Sequence, residues 1–128
     1  MKITLFTFCD GAYNYNGKLT IVGAKDGFHV RSLPEKVSFN IALKFVVLPH
    51  EILKGKLYIQ FVDPESKFLP AKIECEIDVS SQDENNYISL AASMSGVPLE
   101  KEGLYKAIVS METKACGEYD FFVKKDKS

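Results

Sequence analysis

Apolar side chains recur at every second position along most of the chain, and no stretch sustains the 3.6-residue spacing of an amphipathic helix. The clearest run is VSFNIALKFVV. Val37, Phe39, Ile41, Leu43, Phe45 and Val47 fall on one face, with Ser38, Asn40, Ala42 and Lys44 on the other. AKIECEIDVS repeats the pattern, with Ile73, Cys75, Ile77 and Val79 inward and Lys72, Glu74, Glu76 and Asp78 outward. GKLYIQFVD turns Leu57, Ile59 and Phe61 inward. A pleated strand sends successive side chains to opposite sides, so such alternation means one buried and one wet face, as antiparallel sheets allow.

ITLFTFC and KLTIVGA read as an opening strand pair around the 9–17 connection, and NYISLAASM, LYKAIVSME and EYDFFVK follow. Turn chemistry lies between the runs at Asn16-Gly17, Leu33-Pro34, Asp63-Pro64, Gly96 to Pro98, and Cys116-Gly117. LPHEIL (48–53) has the length of one helical turn. The pattern predicts an all-β fold: a two-sheet antiparallel β-sandwich of about eight strands, immunoglobulin-like or a related Greek key. It occupies residues 1–124 as a single domain, with residues 125–128 as a disordered tail. Gly103-Leu104-Tyr105 resembles the tyrosine corner of immunoglobulin-like domains, in which a tyrosine near a strand start bonds back across a corner. Ala107 stands where such domains carry a core cysteine, and the chain has no tryptophan.

At 128 residues the chain can bury roughly two thirds of its unfolded surface in one core. The net charge of −1 is unevenly spread: residues 1–64 hold eight basic and five acidic groups, residues 65–128 eight and twelve. Arg31 is the only arginine, and no dense basic stripe exists to neutralise phosphates, which argues against nucleic acid. The opening Met1, Lys2 and Ile3 to Cys9 imitate a signal peptide. The apolar run is short, contains Thr4 and Thr7, and meets Asp10 without a small-residue cleavage pattern, so it reads as a first strand. No apolar run reaches the roughly 18 residues needed to cross a bilayer, so no membrane span is expected. Cys9, Cys75 and Cys116 make an odd count without a C-x-x-C pair, as in a cytoplasmic protein with reduced thiols.

GAYNYNGKL invites comparison with a phosphate-binding loop and fails it on three grounds. Five residues rather than four separate Gly11 from Gly17, Leu19 replaces the hydroxyl residue, and the following LTIVGA reads as strand, not helix. Asn16-Gly17 instead suits a tight hairpin turn. A nucleophilic Cys9 beside Asp10 would need a base, and neither His29 nor His50 has dyad context. The plain reading is a small buried residue on the face of Ile3, Leu5 and Thr7, followed by an Asp that caps a turn. Structural zinc sites draw ligands in close pairs, and no two of the three thiols and two imidazoles lie within five positions. The acidic loop from Ser80 to Asn86 and the turn with Asp63 and Glu65 lack a calcium-loop pattern. Glu74, Glu76 and Asp78 point the same way from one strand, which suits an aggregation-resistant face better than a glycosidase cleft. No catalytic, cofactor-binding or metal residue is therefore assigned.

Two features suggest recognition. Tyr13, Asn14, Tyr15 and Asn16 form an aromatic and amide loop of the kind binding surfaces use, because rigid rings give contact area at low entropy cost. Phe122 faces away from Tyr119, Phe121 and Val123, and on an edge strand it would mark a self-association surface.

Cys9, Asp10, Ala12, Gly17, Lys18, Leu19, Ile21, Gly23 and Asp26 together resemble the opening of an uncharacterised bacterial family of small single-domain proteins. Val62-Asp63-Pro64 and the later Gly103 and Tyr105 extend the resemblance, while Tyr13-Asn14-Tyr15 departs from the charged or small residues expected there. The resemblance implies a compact β-rich domain and carries no catalytic or ligand-binding residue. The leading expectation is a non-enzymatic module that presents end loops or an edge strand to a protein partner, itself or another. A small-molecule or carbohydrate binder is the alternative, and an enzyme with a Cys/Asp/His site comes third.

Overall fold

VSFNIALKFVV forms most of a thirteen-residue central strand, β5 (Glu35–Val47), flanked antiparallel by β1 (Lys2–Cys9) and β8 (Asn86–Leu99). A second sheet has the order β4-β10-β9-β6-β7, with β4 Gly27–Val30, β6 Ile52–Val62, β7 Phe68–Ser80, β9 Gly103–Met111 and β10 Lys114–Lys125. β2 (Gly11–Tyr15) and β3 (Lys18–Val22) make a separate two-stranded ribbon. The computed structural model describes residues 1–126, and these contain no helix, hence none long and apolar enough to cross a membrane.

The two larger sheets share one core. The predicted inward rows meet there: Phe39, Ile41, Leu43, Phe45 and Val47 from β5 against Leu57, Ile59 and Phe61 from β6 and Phe121 and Val123 from β10. Ile73, Cys75, Ile77 and Val79 of β7 also face it. Tyr105 is 1 % exposed, and its hydroxyl donates to the Lys101 carbonyl at 2.7 Å. The corner that G-x-Y suggested is thus made, and burial pushes the phenol's pKa up.

Several expectations need correction. Among the described residues there are ten strands, not about eight, and three sheets, not two. The opening strand pairs with β5, not with KLTIVGA, which pairs with GAYNY across the Asn16-Gly17 turn. β4 pairs parallel with β10, so the sheets are not wholly antiparallel. LPHEIL makes a tight turn, with Glu51 N–H donating to the Leu48 carbonyl at 3.0 Å, and leads straight into β6. Gly96 to Pro98 lies inside β8 at a register shift, and Cys116-Gly117 inside β10 at another. Glycine serves a bulge as readily as a turn, so sequence chemistry alone does not separate the two. Lys125 belongs to β10 and Asp126 N–H donates to the Val30 carbonyl at 2.7 Å; residues 127–128 of the expected tail lie outside the described residues.

Candidate functional site

Cys9, Asp10 and the following ribbon form one anchored unit. A bulge between Ile3 and Leu5 shifts the register of β1, so Phe8 sits opposite Ile41 and Cys9 opposite Asn40. Phe8 therefore enters the core, while Cys9 shares the far face with Asn40 and Ala42. The alternation of Ile3, Leu5, Thr7 and Cys9 on one face fails at that bulge. Cys9 and Ala42 are nonetheless fully buried, because the ribbon lies against β5 and β8 on this side.

Polar bonds fix the ribbon in place. Asp10 N–H donates to the Val22 and Gly23 carbonyls at 3.0 and 3.1 Å, closing its base. Asn40 Nδ2 donates to the Asp10 carbonyl at 2.9 Å, and Ser93 Oγ donates to Asn40 Oδ1 at 2.6 Å. At the tip, Asn14 Nδ2 donates to the Ser89 carbonyl at 2.9 Å and Ser89 Oγ to the Gly17 carbonyl at 3.2 Å. Asn16 and Gly17 have φ of 51° and 76°, the paired positive values that a two-residue turn of this hand requires. Asp10 accepts from Lys25 Nζ at 2.8 Å, and a Cβ on Gly23 would stand 2.2 Å from Asp10 Oδ2. The Cys-Asp pair and the glycines thus build a fold-back, with no phosphate cradle.

The rings of Tyr13 and Tyr15 are left 64 % and 75 % exposed, while Asn14 turns its amide inward. Phe122 behaves otherwise than expected. β10 lies between β4 and β9, so it is not an edge. Its half-buried ring sits over Gly27, 5.3 Å from the His29 ring, with Lys124 Nζ 5.3 Å from its centroid.

The candidate catalytic groups stay apart. His29 Nδ1 lies 3.4 Å from Asp126 and His50 Nε2 3.9 Å from Asp83, both exposed, while Cys9 faces Asn40. Among the described residues no three His, Cys, Asp or Glu side chains are placed to hold a metal ion. The acidic loop from Ser80 to Asn86 is an open bay, with Ser81 Oγ donating to the Glu84 carbonyl.

Burial pushes the Cys9 thiol up, which suppresses the thiolate that reacts with alkylating agents. The same holds for half-buried Cys75. Iodoacetamide at mildly alkaline pH should therefore label Cys116 first and leave Cys9 unmodified until denaturant is added, as peptide mass mapping would record. Cys9 labelling as fast as Cys116 in the native protein would contradict the buried placement.

A second cluster emerges where sequence reading saw separate turns. Asp63 Oδ1 accepts from the Glu65 and Lys67 N–H groups, both at 2.9 Å, and these bonds hold its carboxyl below the usual carboxylate range. Lys101 Nζ lies 2.9 Å from Glu65 and 3.6 Å from Asp63. Gly103 backs onto Pro64. Val62-Asp63-Pro64 and Gly103-Leu104-Tyr105 are therefore two halves of one corner.

A family model spans residues 4–124. The chain belongs to DUF6941, a family of unknown function. No curated protein matches it. In this DUF6941 chain the motif residues Cys9, Asp10, Gly17 and Gly23 all serve the fold-back, and Asp63, Gly103 and Tyr105 serve the corner. The exposed rings of Tyr13 and Tyr15 serve neither. Pattern reading singled them out by residue type; the inward amide of Asn14 carried no sequence signal, because its acceptor is a backbone carbonyl 75 residues away.

Proposed function

We propose that this DUF6941 chain is a non-enzymatic, cytoplasmic interaction module that presents its ribbon to a protein partner from an immunoglobulin-like β-sandwich. The carrying observation is the pairing of two highly exposed tyrosine rings with a ribbon anchored at both ends. Rings held this way give contact area while losing little freedom on binding. The sandwich reading draws support from two sheets sharing one core, from an opening chain that supplies β1 to one sheet and β4 to the other, and from the tyrosine corner before the middle of β9. Three unpaired cysteines favour a reducing compartment.

A small-molecule or carbohydrate ligand at the same ribbon is the weaker reading, because Asn14 directs its amide to Ser89 and not outward. An enzyme is weaker still, with Cys9 buried and both imidazoles paired elsewhere. Affinity capture from the native cell, comparing wild type with Tyr13→Ala/Tyr15→Ala, tests the proposal. The variant should melt like wild type, since both rings are exposed, and should lose partners that wild type retains. An identical partner list would remove the ribbon from consideration. A thermal-shift panel of sugars and nucleotides separates the alternative, since a ligand bound only by the folded state raises its melting point.

A further inference from the structure

Charge divides between the two larger sheets. The strands of the β5 sheet and the ribbon (β1, β2, β3, β5 and β8) carry four lysines and a single carboxylate, that of Glu35. Glu35 stands opposite the core residue Leu99, at the end of β5 away from Lys44. On the other sheet five carboxylates, Glu74, Glu76, Asp78, Glu118 and Asp120, lie among the lysines and engage several of them. Lys56 Nζ is 2.9 Å from Glu74, and Lys106 Nζ is 3.7 Å from Glu118.

Register gathers three of the first sheet's lysines around the tip of the ribbon. Lys44 is the β5 partner of Ser89, whose hydroxyl donates to the Gly17 carbonyl. Lys18 pairs with Tyr15 across the ribbon, and Lys2 and Tyr87 flank Val46, the next position beyond Lys44 on the same face. Directly paired residues share a face, and Asn14 turns its amide inward, so Tyr13, Tyr15 and Lys18 point outward together. Tyr87 is 68 % exposed, Lys2 and Lys18 are exposed, and Lys44 is half-exposed. Among the described residues none of these three ammonium groups joins an ion pair. The acidic loop that precedes Tyr87 bounds the patch, with Asp83 turned to His50 at 3.9 Å.

We propose that the ribbon's partner presents an acidic segment of a protein, laid across the ribbon tip with carboxylates toward Lys2, Lys18 and Lys44 and apolar side chains on the tyrosine rings. This rests on the partner reading above and adds the partner's chemistry. Unpaired ammonium groups at the rim of a contact attract opposite charge and reject like charge, while the rings supply area. A polynucleotide also offers anions and stacking surface. Three lysines neutralise few phosphates, however, and a long polyanion running past Tyr87 meets the carboxylates of the 80–86 loop. A short acidic segment stays within the patch.

Amide NMR spectra of the full chain, titrated with a blocked peptide of alternating glutamate and leucine, should shift at β2, β3, Lys44 and Tyr87. The lysine–leucine counterpart should leave them unmoved. The acidic peptide should bind more weakly as salt rises, because exposed charges are screened beyond about 8 Å at physiological ionic strength. Lys18→Glu and Lys44→Glu are read separately, each with its melting curve, so misfolding of one leaves the other as the test. Each should weaken the peptide roughly tenfold. Lys124→Glu, the same charge change at an exposed position of the other sheet, should bind like wild type. In affinity capture the lysine variants should lose the partners that Tyr13→Ala/Tyr15→Ala loses. If they fold and keep those partners, the ribbon remains a binding surface and the acidic segment is overturned. A spectrum that ignores the acidic peptide, or the same amides responding more tightly to oligothymidine or phosphatidylserine vesicles, overturns it too.

Discussion

Phe8→Ala is expected to lower the stability of the folded state by about 3–5 kcal/mol, the range for deleting a buried aromatic ring. For a chain of this size that corresponds to a fall in melting temperature on the order of 10–20 °C. The expectation rests on where the ring stands, at the point where both sheets and the short strand β4 converge. Its centroid lies 4.8 Å from Phe121, 5.3 Å from Phe39, 5.8 Å from Phe28 and 6.3 Å from Phe61. Those rings belong to four different strands, so no single neighbour can move in to fill the space without leaving its own partners. Phe6→Ala is the internal comparison. That ring stacks on Tyr119 at 4.4 Å but is only half-buried, so its loss should cost distinctly less. Denaturant titration of both variants settles the matter; equal losses would mean that the aromatic cluster is not centred on Phe8.

The same residue shows why some of the fold was legible and some was not. β5, β6 and β7 alternate without interruption for ten residues or so, and a period-two pattern that long has one consistent assignment of faces. Their inward rows therefore match the core. β1 starts with the same signal, but the bulge after Ile3 moves Phe6 and Phe8 inward and Cys9 outward. A bulge inserts one residue into one strand, and nothing in ITLFTFC marks where. Short elements fail for another reason. β4 is four residues long, too few to alternate, and it exists because Gly27 lets the chain lie against the Phe122 carbonyl, where a Cβ would stand at 2.4 Å. That pairing joins residues 95 positions apart, and it removes β10 from the edge on which the Phe122 expectation depends.

The candidate site divides similarly. Residue type alone drew attention to Tyr13 and Tyr15, and the Asn16-Gly17 turn followed from backbone chemistry. The face against which the ribbon lies depends on Asn40, Ser89 and Ser93, three ordinary polar residues on strands far along the chain. Alternation assigns Ala42 to the wet face because it counts residues and cannot see a second layer placed over them. Its complete burial is the trace of that layer.

The corner between Asp63 and Tyr105 offers the second large effect. Gly103 has φ of 140°, in a region that side-chain-bearing residues scarcely enter, and a Cβ there would stand 2.6 Å from Pro64 Cγ. Gly103→Ala therefore meets two separate penalties, backbone strain of about 1–3 kcal/mol and an overpacking cost of similar size. Relief of either one displaces Tyr105 two residues on, whose hydroxyl is held by Lys101, or the loop whose Asp63 gathers two backbone N–H groups. A double-mutant cycle with Pro64→Ala apportions the loss, because the two sites are in contact. Removing the proline ring should recover the overpacking part and leave the strain, so the double variant should be more stable than the sum of the single effects implies. Strict additivity would mean that Pro64 does not press on Gly103, and that Val62-Asp63-Pro64 and Gly103-Leu104-Tyr105 belong to separate parts of the fold.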